Sequence, residues 1–145
     1  MAFPIHELIK DKSPLLVTRP AEDVSAALAS MFERDYSQLP VVDDDNKPVG
    51  MLTTDSIVRA CDQLGLPAKK LKVSQAMTQR FERIQPERDL FELLEKLAGA
   101  SAVLVVDGNG RLTGIVTDFD TAEYFRRRSE SMMRVEDIEL NLKDH

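Results

Sequence analysis

Cysteine and long apolar segments are both scarce in this chain of 145 residues. Cys61 is the single cysteine, so no disulfide can form within the chain and a reducing compartment is expected. No apolar run is longer than AVLVV at 102–106, whereas a helix that spans a bilayer needs about 20 such residues. The N-terminal MAFPIHELIKDK lacks a basic start followed by an apolar segment, so no secretory signal is predicted. We therefore expect a cytoplasmic protein.

Basic residues are fewer than acidic ones: the chain has 19 Lys and Arg residues against 25 Asp and Glu residues, which gives a net charge of −6. Nucleic acids and anionic membranes both bind basic surfaces, so neither is expected as a partner. Catalytic motifs are also missing: there is no Gly-x-Ser-x-Gly, no His-Glu-x-x-His and no Gly-rich phosphate loop with a lysine. The acidic run at 43–45 lacks the spacing of a calcium loop. We predict neither a catalytic site nor a metal site.

An internal repeat is what the chain has instead. Residues 15–59 align with residues 82–123. Within this alignment, VVDDDNKPVGMLT at 41–53 falls on VVDGNGRLTGIVT at 105–117 after a deletion of two residues. The chain therefore contains two copies of one supersecondary unit.

Each copy contains the same kinds of element in the same order. A short extended segment ends in proline, a helix with apolar spacing follows, and two strands joined by a turn precede a second helix. The turn DGNG at 107–110 is a hairpin signal, because Gly and Asn tolerate positive φ, and DDDNK at 43–47 is a looser version. The strands beside these turns are almost wholly apolar, which indicates burial on both faces. We predict an α+β, sandwich-like fold in which two β-α-β-β-α repeats pack as one pseudo-two-fold module.

Three segments are predicted along the chain: a first repeat at 5–64, a linker with the second repeat at 65–128, and a helical tail at 129–145. The apolar residues of the tail have helical spacing: Met132, Val135, Ile138 and Leu142. This pattern ends without a helix stop signal. We expect the tail to lead into a further region of a longer protein.

These features together resemble tandem CBS domains, which are named after cystathionine β-synthase and whose pairs are called Bateman modules. The resemblance rests on the element order, the strands LPVVD and VLVVD, and the pattern Gly-apolar-apolar-Thr-x-x-Asp in GIVTDFD at 114–120. It covers about residues 5–128. It implies a regulatory module that binds an adenosine-containing ligand such as AMP, ADP, ATP or S-adenosylmethionine and requires no cofactor. A C-terminal effector region or a partner protein would receive the signal.

The stretch GIVTDFD also has a direct chemical interpretation. Gly114 has no Cβ, so a ligand can approach the backbone there. Thr117 and Asp118 lie at a predicted helix start, where unpaired N–H groups favour a phosphate, and Asp120 can accept hydrogen bonds from both ribose hydroxyls. The alternative is a capping box between Thr117 and Asp120 without any ligand. Both interpretations remain open, and they are compatible with each other.

The resemblance adds an expected place for the adenine ring. Its edge would meet backbone groups of the strand that precedes the first helix of the second copy, at Arg83, Ile84 and Gln85. The ring itself would lie between apolar strand residues.

The first copy departs from the pattern at one position. GMLTTDS at 50–56 ends in Ser56, which aligns with Asp120 and offers one weaker hydrogen bond instead of a carboxylate. The first copy is therefore predicted to be the poorer site, although three of its residues remain available as ligand contacts: Thr18, Arg19 and Thr53.

Association through helical faces is a further implication of the resemblance. The second helix of each copy carries apolar residues that suit such a face: Ile57, Val58, Phe119, Ala122 and Phe125. We expect a homodimer. The alternative function is a ligand-free module whose helices drive dimerisation alone.

Overall fold

A computed structural model describes residues 4–9 and 15–143, with the backbone alone described for Pro4 and for 131–143. The first part of the chain contains α1 (Pro4–Ile9), α2 (Val24–Arg34), β1 (Gln38–Val42), β2 (Pro48–Thr53) and α3 (Thr54–Leu64). The second part contains a 3₁₀ turn (Ala68–Lys70), α4 (Val73–Ala76), β3 (Glu82–Ile84), α5 (Leu90–Ala98), β4 (Ala102–Val106), β5 (Leu112–Thr117) and α6 (Asp118–Lys143). In the part of the chain that these ranges cover, no helix is long and apolar enough to cross a membrane.

The strands form two small sheets, which confirms the predicted α+β class. β1 and β2 pair antiparallel; in the other sheet β4 pairs in parallel with β3 and antiparallel with β5. The expected first strand of the first copy is reduced to one bridge between Thr18 and Val41. In both copies this pairing ends two residues before a proline, at Thr18 and at Ile84, because proline has no N–H to donate to a ladder.

The two hairpins have matching turns, as the sequence predicted. Asp43 Oδ1 accepts hydrogen bonds from the N–H groups of Asp45 and Lys47, and Asp107 Oδ1 accepts them from Asn109 and Arg111. Positive φ falls where Asn and Gly permit it, at Asn46 (63°) and Gly110 (84°). The acidic run at 43–45 is therefore a hairpin turn.

Each repeat completes its core with the segment that precedes the other repeat. Ile5 and Leu8 of α1 are buried in the core of the second repeat, between α5 and the sheet. The linker residues Leu71, Val73 and Ala76 are buried in the core of the first repeat. A large aliphatic side chain contributes about 1.5–3 kcal/mol when it is fully buried, so both exchanged segments stabilise the module substantially.

A third apolar cluster joins the two repeats. It combines Val42 and Met51 of the first hairpin with Ala102, Leu104 and Leu112 of the second sheet. The turn of the first hairpin is also tied to β5: the N–H of Leu112 donates to the Asn46 carbonyl at 2.8 Å, and Asn46 Nδ2 donates to the Leu112 carbonyl at 3.0 Å. The repeats therefore pack as one unit.

The closing helices differ in length. α3 ends at Leu64, where Gly65 adopts the left-handed conformation with φ 65° and its N–H donates to the Cys61 carbonyl. α6 continues to Lys143 without a break between residues 128 and 129. The last two residues of the predicted tail lie outside the described residues.

One residue of the expected dimer face lies in the core instead. Ile57 is 4% exposed and packs in the core of the first repeat, because on α3 it shares the buried face with Ala60, three residues further along. Val58, one residue on and about 100° around the helix, is 66% exposed. Phe119, Ala122 and Phe125 are exposed on α6.

Both glycines of the repeated motif are in close contact with the segment that precedes a repeat. A Cβ at Gly114 would lie 3.1–3.3 Å from three carbon atoms of Ile9. A Cβ at Gly50 would lie 2.7 Å from the Met77 sulfur and 3.1 Å from the Thr78 carbonyl oxygen. The space above Gly114, which we expected a ligand to use, is thus occupied by the Ile9 side chain.

We predict that Gly50→Ala lowers the free energy of unfolding by about 1–3 kcal/mol and that Gly114→Ala lowers it by less. The Thr78 carbonyl is bonded to Met51 and cannot withdraw, whereas the Ile9 side chain can rotate. Gly99→Ala is the matched control, since nothing lies within 4 Å of a Cβ there and its φ of −101° suits alanine. Urea denaturation measures all three.

The double variant Gly114→Ala with Ile9→Ala tests the contact itself. Its loss of stability should be smaller than the sum of the single losses, because the added methyl group fills space that Ile9 vacates. Additive losses would contradict this packing.

Candidate functional site

A cleft of about 1000 Å³ lies between the two repeats. The second repeat contributes Ser101, most of β5 and the start of α6, and the first repeat contributes the segment from Arg34 to Pro40. Three apolar side chains from the beginning of the chain also line it: Ile9, Leu15 and Leu16. The site therefore needs both repeats to be complete.

Thr117 and Asp120 form a capping box at the start of α6. The Thr117 N–H donates to Asp120 Oδ2 at 2.8 Å and the Thr117 hydroxyl donates to the same oxygen at 3.0 Å. The Asp120 N–H in turn donates to Thr117 Oγ1 at 3.3 Å. The capping interpretation is thus correct for these residues, and the box holds the carboxylate at the cleft, which both residues line.

Thr53 and Ser56 form the same box at the start of α3. The Ser56 N–H donates to Thr53 Oγ1 at 2.8 Å and the Thr53 N–H donates to Ser56 Oγ at 2.9 Å. The Ser56 hydroxyl also donates to the Thr53 carbonyl at 3.0 Å. A serine therefore satisfies this cap, so the cap alone does not require the negative charge that Asp120 brings to the cleft.

The neighbouring carboxylate of the first repeat does not replace the missing one. Asp55 lies on the exposed side of α3, and its carboxylate accepts a hydrogen bond from Arg59 Nε at 2.9 Å. It is not among the residues that line the cleft.

Three of the predicted ligand contacts line the cleft: Gly114, Thr117 and Asp120. Arg83, Ile84 and Gln85 do not. Ile84 is buried in the second core, the Arg83 guanidinium lies 5.1 Å from the centre of the Phe81 ring, and the Gln85 carbonyl accepts a bond from Arg88. Leu15 and Leu16, from the segment before the first helix of the first repeat, line this cleft instead.

The other four predicted contacts also lie outside the lining of this cleft. Thr18 is 1% exposed and its hydroxyl donates to Glu22 at 2.6 Å, while Arg19 lies 3.9 Å from the Asp44 carboxylate. Thr53 caps α3, and Asp118 is exposed in the first turn of α6.

The first repeat supplies cleft residues that the sequence analysis missed. Arg34 and Tyr36 are the most chemically distinctive of them, and Gln38 and Pro40 lie beside them on β1. A comparison of the two repeats could have found them, because RDYSQ at 34–38 aligns with the uncharged segment AGASA at 98–102.

The basic run at 126–128 belongs to the surface of α6. Arg126 pairs with Glu123 at 3.0 Å and Glu130 at 2.7 Å, and the Arg128 guanidinium lies over the Tyr124 ring. The hydrogen bond from Arg126 holds the pKa of the Glu123 carboxyl below its usual value. The described lining of the cleft includes none of these arginines.

Comparison with known proteins gives one family. A family model described as CBS domain matches residues 7–63 and 73–127. The chain is 28% identical over 99 residues to a homoserine O-acetyltransferase of Methanohalobium evestigatum, a match that covers 67% of this chain and 19% of that enzyme. It is 25% identical over 124 residues to an uncharacterized 17.7 kDa protein of Acidianus ambivalens, covering 84% and 73% of the two chains. The chain thus spans about a fifth of the length of the first relative.

Comparison with solved structures points to the same family. An uncharacterized conserved protein from Pyrococcus horikoshii is 30% identical, with a TM-score of 0.72 and coverage of 87% of this chain and 94% of that one. CBSX2 in complex with AMP is 22% identical, with a TM-score of 0.75 and coverage of 88% and 99%. The CBS domain pair of MJ0100, in complex with 5′-methylthioadenosine and S-adenosyl-L-methionine, is 23% identical, with a TM-score of 0.72 and coverage of 86% and 96%. The last two show that the fold is shared.

The capping boxes generate a stability prediction. Asp120→Ala should lower the free energy of unfolding by about 1 kcal/mol, because it removes a cap acceptor, and Ser56→Ala should do the same. Asp120→Ser should stay within about 0.5 kcal/mol of the native protein, since serine closes the equivalent box in the first repeat. Chemical denaturation of the three variants measures this. A serine variant as unstable as the alanine variant would mean that the α6 cap needs a carboxylate.

Proposed function

The chain belongs to the CBS domain family and contains two CBS domains in tandem, and we propose that it is a regulatory module that binds an adenosine-containing nucleotide in the cleft at Asp120. The observation that carries this proposal is the carboxylate of Asp120, held at the cleft by a box that serine closes equally well in the first repeat. Two structures with the same fold hold AMP or S-adenosyl-L-methionine, and we extend that ligand class to this chain.

The size and the chemistry of the cleft suit such a ligand. Its volume of about 1000 Å³ is at the upper end of the range of about 300–1000 Å³ that is usual for small-molecule sites. Apolar side chains such as Leu15, Leu16 and Ile115 line it and offer contact to a purine. The Asp120 carboxylate can accept hydrogen bonds from ribose hydroxyls, and the first turn of α6 favours a phosphate beside Thr117.

The role that we propose for the ligand is regulatory. The ligand joins residues of both repeats, so its binding stabilises their packing and the start of α6. We propose that a C-terminal region or a partner protein in the cytoplasm receives this change through α6.

Binding should depend on Asp120 much more than on Ser56. A hydrogen bond to a charged group contributes about 1.5–3 kcal/mol, so Asp120→Ser should weaken the binding of AMP by about ten- to a hundredfold while the cap remains. Asp120→Ala should weaken it at least as much. Ser56→Ala should change it by about threefold or less, because Ser56 closes the cap of α3 and is not among the residues that line the cleft.

Calorimetric titration of the full chain with AMP, and with S-adenosylmethionine in parallel, measures these affinities. If Ser56→Ala is the more damaging change, the ligand occupies the first repeat and the assignment of the site is wrong. If the native chain binds no adenosine compound in this titration and its thermal midpoint does not rise, the ligand-free alternative is correct.

We also propose a homodimer that associates through α3 and α6, where Val58 and Phe125 are 66% and 43% exposed. Val58→Asp and Phe125→Asp should each convert the dimer to a monomer, because a charge would be buried in the interface. Phe91→Asp is the control, since this side chain is 75% exposed on α5. Light scattering at micromolar concentration measures the mass, and a monomeric native chain would contradict the proposal.

A further inference from the structure

The two repeats differ sharply in the segment that runs from the last residue of the helix after the proline to the first residue of the next strand. In the first repeat this segment is Arg34 to Gln38, with the sequence RDYSQ, and in the second it is residues 98–102, with the sequence AGASA. The first version carries two charges and an aromatic ring, and the second carries neither. Both versions follow a helix and lead into a buried strand, so the general architecture of the repeat does not require the charged one.

This difference lies on the same cleft as the difference between Asp120 and Ser56. The segment from Arg34 to Gln38 belongs to the first repeat and Asp120 to the second, yet both line the same cleft of about 1000 Å³. Two independent departures from the internal symmetry therefore meet at one site, although they are 82 or more positions apart in the sequence. A shared ligand explains this convergence, whereas the packing of either repeat alone does not.

Arg34 is the part of this segment that can recognise an anion. It lies in the last turn of α2, is exposed, and forms no ion pair with another described residue. Other described arginines also lack an ion pair, but among the described residues Arg34 is the one arginine that lines this cleft. The next residue, Asp35, ends α2 in the left-handed conformation with φ 58°, so the chain turns there towards β1. The guanidinium fork matches the geometry of a phosphate and can donate two parallel hydrogen bonds.

We propose that Arg34 is the phosphate anchor of this cleft and that it selects a nucleotide over the corresponding nucleoside. This inference rests on the proposed function: Asp120 accepts hydrogen bonds from the ribose, and Arg34, on the opposite repeat, holds the phosphate together with the start of α6 at Thr117. The cleft then recognises adenosine 5′-monophosphate by contacts from both repeats. An arginine near a helix C-terminus also interacts favourably with the helix dipole, and that role predicts an effect on stability but none on ligand preference.

The test is the preference of the protein for AMP over adenosine, measured by calorimetric titration of the full chain. The native protein should bind AMP at least about tenfold more tightly than adenosine. Arg34→Gln should weaken AMP binding by about ten- to a hundredfold and leave adenosine binding within about twofold. The affinity of Arg34→Lys for AMP should fall between those of the native protein and Arg34→Gln, because lysine keeps the charge and lacks the guanidinium fork. Arg59→Gln is the matched control, since Arg59 is exposed on α3 and outside the cleft lining.

Each remaining outcome overturns the proposal. Equal weakening of AMP and adenosine by Arg34→Gln would assign Arg34 a structural role. A native chain without a preference for AMP, or a variant that keeps this preference, would remove Arg34 as the anchor and leave the proposed function intact. A native chain that binds neither compound overturns the anchor, and titration with S-adenosylmethionine then decides whether the proposed function stands.

Discussion

The module depends on an exchange of apolar segments between its two repeats. Each repeat has only two or three strands, too few to bury a sheet without help. α1 fills the core of the second repeat with Ile5 and Leu8, and the linker fills the core of the first with Leu71 and Val73. Three backbone hydrogen bonds of 2.9–3.0 Å fix the linker against residues 20–24. Neither core is complete without a segment from beyond its own repeat, so each repeat depends on the other for its core.

The same exchange creates the cleft and explains its chemistry. It brings Leu15 and Leu16 of the first repeat to the start of α6, so the capping box of the second repeat faces side chains of the first. The box itself is an ordinary device for a helix start, and serine suffices for it in α3. What distinguishes the two helix starts is charge, because a carboxylate in the same position brings acceptors that a hydroxyl lacks. The function that we propose is therefore added to a structural motif and does not replace it.

Local sequence predicted the local structure well. The turns at Asn46 and Gly110, the buried strand β4 and the box of Thr117 and Asp120 all depend on neighbours within a few residues. Contacts across the pseudo-two-fold axis were not predictable in this way. The cleft is lined by Leu15 and Leu16 of the first repeat and not by residues 83–85 of the second, and the spacing of residues in the sequence gives no sign of this. The burial of Ile57 and the contact of Ile9 with Gly114 were missed because each depends on which face of α3 or β5 a neighbouring element packs against.

α3 and α6 start from equivalent capping boxes but have very different lengths. α6 has 26 residues, so at 1.5 Å per residue it is about 39 Å long. A rotation of about 3° at the capping box displaces the far end of such a straight rod by about 2 Å. α3, with 11 residues and a glycine stop, has no comparable reach. A rotation of α6 that is too small to disturb the core beside the cleft therefore corresponds to a displacement of about 2 Å at Lys143.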